Sequence, residues 1–142
     1  MDEGIILGKL ESLSRCLERI EAKTPVTVEA LKNDFDRQDI ISINLERAVQ
    51  MCVDVGMHVI SQRHILLPDS MAGTFLTLAR LSVIDNHTAV AMGKAVGFRN
   101  TAVHAYRVIN WDIVFSICTK HLGDFRAFAC QIMATLEPEP GS

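Results

Sequence analysis

Turn-forming residues are scarce in this chain: four prolines and eight glycines among 142 residues. No stretch alternates polar and apolar residues over a useful length, which excludes an all-β protein of short strands and tight turns. Cysteine is sparse too. Cys16, Cys52, Cys118 and Cys130 lie far apart, which leaves no CxxC metal or redox motif and is too thin for a secreted disulfide scaffold. No window is long enough and free enough of charge to cross a membrane. The opening Met1-Asp2-Glu3 has the wrong charge for a secretory signal, so the expected compartment is a reducing cytoplasm. Aromatic residues make up 6% of the chain, with one Trp and one Tyr, which suits an aliphatic core. Positive charge is in deficit, 14 Lys and Arg against 17 Asp and Glu, for a formal net charge of −3. On bulk charge alone, a strongly electrostatic nucleic-acid binder is disfavoured.

What is present is an apolar content of 49% arranged with a helical period. Ile6, Leu10, Leu13, Leu17 and Ile20 recur at steps of three and four, which predicts a first helix that Thr24-Pro25 ends. Thr27 can cap a short helical piece around Val28 to Leu31. Ile41, Leu45, Ala48, Cys52, Val55 and Val59 form the stripe of a long helix from about Phe35 to Ser61. Leu67-Pro68-Asp69-Ser70 reads as a break and a new start, with Phe75, Leu78, Ala79, Ser82 and Val83 in helical period after it. Asp85-Asn86 marks a turn, and Asn86 or Thr88 can cap a helix carrying Val90, Lys94 and Phe98. Asn110 or Asp112 opens a last helix whose buried face holds Val114, Ile117, Phe125, Phe128 and Ile132. The expected fold is all-α, an up-and-down bundle of four to five helices. Residues 1–135 form one domain, followed by a Pro-rich disordered tail over 136–142.

Several chemistries lack their residues. There is no HExxH, no Glu-x-x-His pair for a di-metal bundle, no phosphate-cradling glycine loop and no GxSxG elbow. Asp54 and His58 lie one helical turn apart, and a plain hydrogen-bonded pair is the simpler account of them than a metal site. No metal and no cofactor are expected. The segment Gly97-Phe98-Arg99-Asn100-Thr101-Ala102-Val103-His104-Ala105-Tyr106 is different, because it gathers Arg, Asn, His and Tyr near the end of an apolar helix. Arg offers a permanently charged fork of donors for a phosphate, and His exchanges protons near neutral pH. Together they can cleave a phosphodiester without metal, His104 taking the proton of a ribose 2′-hydroxyl and Arg99 stabilising the charge on phosphorus. That chemistry requires RNA, which alone carries the internal nucleophile. On an ideal helix Arg99 and His104 point about 140° apart. Either the helix starts or bends here, or the site combines groups from two chains. On spacing alone, surface residues or partners of buried carbonyls account for the pair more simply.

The string Arg99-Asn100-x-x-Val103-His104-x-Tyr106, preceded by Gly97-Phe98, resembles the signature of HEPN-domain toxins of the HEPN/MNT toxin–antitoxin family, often called HepT. The resemblance extends to the long helix with Asp39, Asn44, Arg47, Ala48 and Asp54, and to the last helix from Trp111 to Met133. It implies an all-α HEPN-like bundle that dimerises, with the motifs of two protomers meeting in a groove. It implies a metal-independent endoribonuclease in which Arg99 and His104 are catalytic and Asn100 supports the Arg or the phosphate. It also implies a partner, a minimal nucleotidyltransferase (MNT) antitoxin that transfers AMP to Tyr106. AMP there would add bulk and negative charge beside Arg99 and block RNA. The alternative is a non-catalytic HEPN module whose Arg99, Asn100 and His104 bind a nucleotide or the partner enzyme. Arg47 and Asp54 are candidates to flank the groove, and Arg63, Arg80, Lys94 and Arg107 to guide RNA. A dimer doubles the acidic balance, so RNA binding would be weak, salt-sensitive and guided by a local groove.

Overall fold

A computed structural model describes residues 2–103 and 109–136, all of its regular structure helical. Helix α1 (Asp2–Lys23) buries the predicted stripe of Ile6, Leu10, Leu13, Leu17 and Ile20. Each such side chain contributes about 1.5–3 kcal/mol by leaving water. The Thr24 hydroxyl closes the helix on the Ile20 carbonyl at 2.6 Å, just before Pro25. Short α2 (Val28–Lys32) is capped by Thr27, whose side chain accepts from Ala30 N–H. Helix α3 (Phe35–Ser61) starts at Asp34, whose carboxylate accepts from Arg37 N–H, and it buries the whole expected stripe. Gln38, buried beneath α2, donates to the carbonyls of Leu31 and Lys32 at 2.9 and 3.1 Å and so satisfies that helix's open end. Lys9 meets Asp54 while Arg37 meets the Lys23 carbonyl, so α1 and α3 run antiparallel.

Helix α4 (Met71–Arg80) begins at Ser70, whose side chain accepts from Gly73 N–H. The expected helical period through Ser82 and Val83 is not followed, because the helix stops at Arg80. Ser82 takes the left-handed conformation at φ 60°, its N–H bonds to Ala79 O, and Val83 N–H bonds to Leu78 O. That is a Schellman closure with serine where glycine is usual, and it leaves Val83 buried against the core.

Helix α5 (Asn86–Val103) is capped by Asp85 rather than by Asn86 or Thr88. The Asp85 carboxylate accepts from Thr88 N–H at 2.7 Å. Asn110 caps α6 (Trp111–Ser116) through Asp112 and Ile113 N–H. The last helix is not continuous. A π-helical turn (Ile117–His121) separates α6 from α7 (Leu122–Leu136). Val114, Cys118 and Leu122 face the core across it, and the wider turn rotates the following residues relative to a regular helix. Ile117, expected in the buried face, is only half-buried and Cys118 takes its place. Leu136, expected in the tail, belongs to α7; the rest of the expected tail, residues 137–142, lies outside the described residues.

One continuous core joins these helices. Phe75 of α4 and Phe128 of α7 meet edge to face at its centre, with ring centroids 5.5 Å apart. Gln131 of α7 accepts from Asp85 N–H and donates to Asp85 and Thr88, which pins the start of α5. Among the described residues, no helix is long and apolar enough to cross a membrane.

Candidate functional site around Arg99

The described part of the motif segment, residues 97–103, occupies the last turns of α5. Arg99 and Asn100 are described; His104 and Tyr106 lie outside the described residues, as does Arg107. Arg99 is half-buried and turned toward α3 and α4, whereas Asn100 is exposed. The divergence follows from the helix, since neighbours point about 100° apart. Arg99 Nη2 donates to Gln50 Oε1 of α3 at 3.3 Å, and Nη1 faces the Met71 sulfur of α4 at 3.5 Å. Gln50 Nε2 donates to Asp54 Oδ1 at 2.9 Å, and Lys9 Nζ of α1 pairs with Asp54 Oδ2 at 3.3 Å. A polar chain therefore runs from α1 through α3 to the first residue of the motif.

Asp54, one of the residues expected to flank the groove, is part of this chain. Its hydrogen bonds go to Gln50 and Lys9, not to His58 as the simple pairing predicted. His58 sits beside it around a shallow depression with Lys9, Met57 and Ser61. Arg47 is exposed, and its charge acts on the Cys16 thiol of α1. Burial pushes that thiol up, and the charges of Arg47, Arg19 and Arg15 oppose the rise. Of the proposed RNA guides, Arg63 and Arg80 are exposed beyond α3 and at the end of α4. Lys94 instead borders a cavity of about 780 Å³ between α5 and the α6–α7 arm, which opens beside Gly97 and Phe98. Its rim also carries His87, Lys120 and His121, with His121 Nδ1 held at 3.1 Å by Asp124. Among the described residues, no group of three or more His, Cys, Asp or Glu could hold a metal ion.

Gln50, Lys9 and Met71 were not found from the sequence. Gln50 and Asp54 stand four apart on the long helix, the only local hint. Lys9 and Met71 reach the site across long stretches of chain and leave no pattern.

An all-helical bundle that braces an Arg-led motif at the end of one helix defines a class, and the comparisons name it. Residues 13–132 match the family described as ribonuclease HepT-like. The chain belongs to that family and is a HepT-like HEPN domain. It is 35% identical over 130 residues to the mRNA nuclease HepT of Shewanella oneidensis, covering 92% of this chain and 97% of that relative. It is 24% identical over 138 residues to the tRNA nuclease HepT of Aphanizomenon flos-aquae, covering 95% and 94%. Its fold matches that of the tri-AMPylated Shewanella oneidensis HEPN toxin in complex with MNT antitoxin at a TM-score of 0.85. That match has 35% identity and covers 92% of this chain and 97% of that one. The family, the helical fold and the ribonuclease class implied by the motif string are thus borne out.

Proposed function

We propose that this chain is the toxin of a toxin–antitoxin pair, a metal-independent endoribonuclease that works as a homodimer. The observation that carries the reading is Arg99. It heads the motif, it is held half-buried at the end of α5, and among the described residues no carboxylate lies within ion-pair distance of it. A positive fork without a carboxylate partner is suited to a phosphate. His104 removes the 2′-hydroxyl proton of the ribose, and the alkoxide attacks phosphorus. The 5′-oxygen then leaves with a proton returned by an imidazolium, and a cyclic phosphate remains. Arg99 offsets the charge on the phosphoryl oxygens, and the exposed Asn100 supports the phosphate. Two chains share the site, since an unbroken helix would point Arg99 and His104 about 140° apart. Tyr106 accepts AMP from the partner nucleotidyltransferase, a reading that the AMPylated relative supports.

Purified wild type is expected to cleave RNA with a chelator present. Arg99→Ala and His104→Ala are expected to lose about a hundredfold or more while keeping the wild-type melting curve. Undiminished cleavage by His104→Ala would overturn the catalytic assignment. No cleavage by wild type, with measurable nucleotide affinity, would favour the non-catalytic module. Incubation with the partner and ATP should add AMP to wild type by intact mass and not to Tyr106→Phe. With one tyrosine in the chain, an unchanged adduct on that variant would remove Tyr106 as acceptor.

A further inference from the structure

Arg99 is held by two neutral partners, the Gln50 amide oxygen and the Met71 sulfur, while its Nε is buried without a partner among the described residues. A carboxylate is nearby all the same. Asp54 lies one helical turn beyond Gln50 on α3, and the Gln50 side chain stands between it and Arg99. An amide has one donating and one accepting end. Because Gln50 Nε2 donates to Asp54 Oδ1, its oxygen is turned toward Arg99. The other carboxylate oxygen is taken by Lys9.

We propose that Gln50 is a positioning residue and a neutral spacer, which fixes the Arg99 guanidinium while holding the Asp54 carboxylate off it. The inference rests on the reading of Arg99 as the phosphate binder. Along the chain, Lys9 balances Asp54, Gln50 carries no charge, and the charge of Arg99 is left over. A carboxylate at the position of Gln50 Oε1 would form a charge-assisted pair with the guanidinium and compete with phosphate for its N–H groups. In a protein with a net charge of −3, attraction to RNA has to be built locally, and the spacer is the device that builds it.

The test is binding of a single-stranded 2′-O-methyl RNA oligonucleotide, which cannot be cleaved, to full-length protein across a salt series. Gln50→Glu keeps the size of the side chain and puts a charge on Arg99. Gln50→Met fills the same volume without the charge. Gln50→Glu is expected to bind about tenfold more weakly at low salt, and its slope of log K against log salt should shrink by about 0.7 for each phosphate that is no longer neutralised. Arg99→Ala should show the same change of slope. Gln50→Met, which loses the positioning but adds no charge, should bind more weakly than wild type yet less weakly than Gln50→Glu, and keep the wild-type slope. Equal weakening of both Gln50 variants with an unchanged slope would mean a merely structural role and overturn the proposal, as would wild-type binding by Gln50→Glu. Should Gln50→Glu fail to fold, Lys9→Gln leaves Asp54 unbalanced; weaker binding at low salt is expected, and unchanged binding overturns the proposal. A wild type that binds the probe but does not cut RNA refutes the ribonuclease reading and leaves the spacer standing. A wild type that cuts RNA but does not bind the probe does the reverse.

Discussion

The Asp85 carboxylate both starts α5 and ties it to α7. One oxygen accepts from Thr88 N–H, the other from Gln131 Nε2. The bond from the Thr88 backbone, with further help from the Thr88 side chain, holds its carboxyl below the usual carboxylate range. A depressed folded pKa means that the unfolded chain binds the proton first on acidification, so this contribution is fully present at neutral pH. It is lost as pH falls from the ordinary carboxylate range through the lowered value. Asp85→Ala should lower the melting temperature at pH 7, and the gap to wild type should close in acid; a gap that stays constant with pH would contradict this role. At this scale the sequence was legible where function sits in a local string. Arg99 and Asn100 stand out by their neighbours, whereas Gln50, Met71 and Lys9 are ordinary residues in their own helices. Only the fold brings them to Arg99, because their partners are distant in sequence. Cys118 is a residue of another kind, buried in the core, with burial pushing its thiol up to about 11.

At the scale of elements, Gly56 sets how closely α3 approaches α4. A Cβ there would meet Thr74 Cγ2 at 2.6 Å and Leu78 Cδ1 at 3.0 Å. Thr74 is fully buried and donates to the Ser70 carbonyl at 3.2 Å, so it cannot turn aside without losing that bond. Gly56→Ala should therefore destabilise by about 1–3 kcal/mol, read as a lower urea midpoint with an unchanged slope. A midpoint equal to wild type would show that the helices can part at no cost. Element boundaries were readable where side-chain chemistry marks them, at Thr27, Ser70 and Asn110, and the extent of α3 follows from its apolar stripe, though its cap Asp34 was not read. They were not readable where backbone geometry decides. Nothing local in Leu81-Ser82 announces a left-handed residue, and the π-helical turn is visible only once one knows that Cys118, not Ile117, faces inward.

At the scale of the whole molecule, the proposed pairing of Arg99 with His104 is open to a complementation test, since an unbroken helix would point the two about 140° apart. If two chains share each site, mixing inactive Arg99→Ala with inactive His104→Ala protein should restore cleavage to roughly a quarter of wild type. Half the dimers are then mixed, and each holds one intact pair of groups in its two-fold arrangement. No recovery, with mixed dimers shown to be present, would place both groups in one chain. The bundle also has an order of assembly. Of the described elements α7 is the last to be synthesised, and it supplies Phe125, Phe128 and Ile132 to the core and Gln131 to the start of α5. Without α7 the core is open on that side and the start of α5 lacks its tie to Gln131, even though the partners of Arg99 on α3 and α4 are already made. The helix that carries Arg99 thus depends for its anchoring on an element made after it.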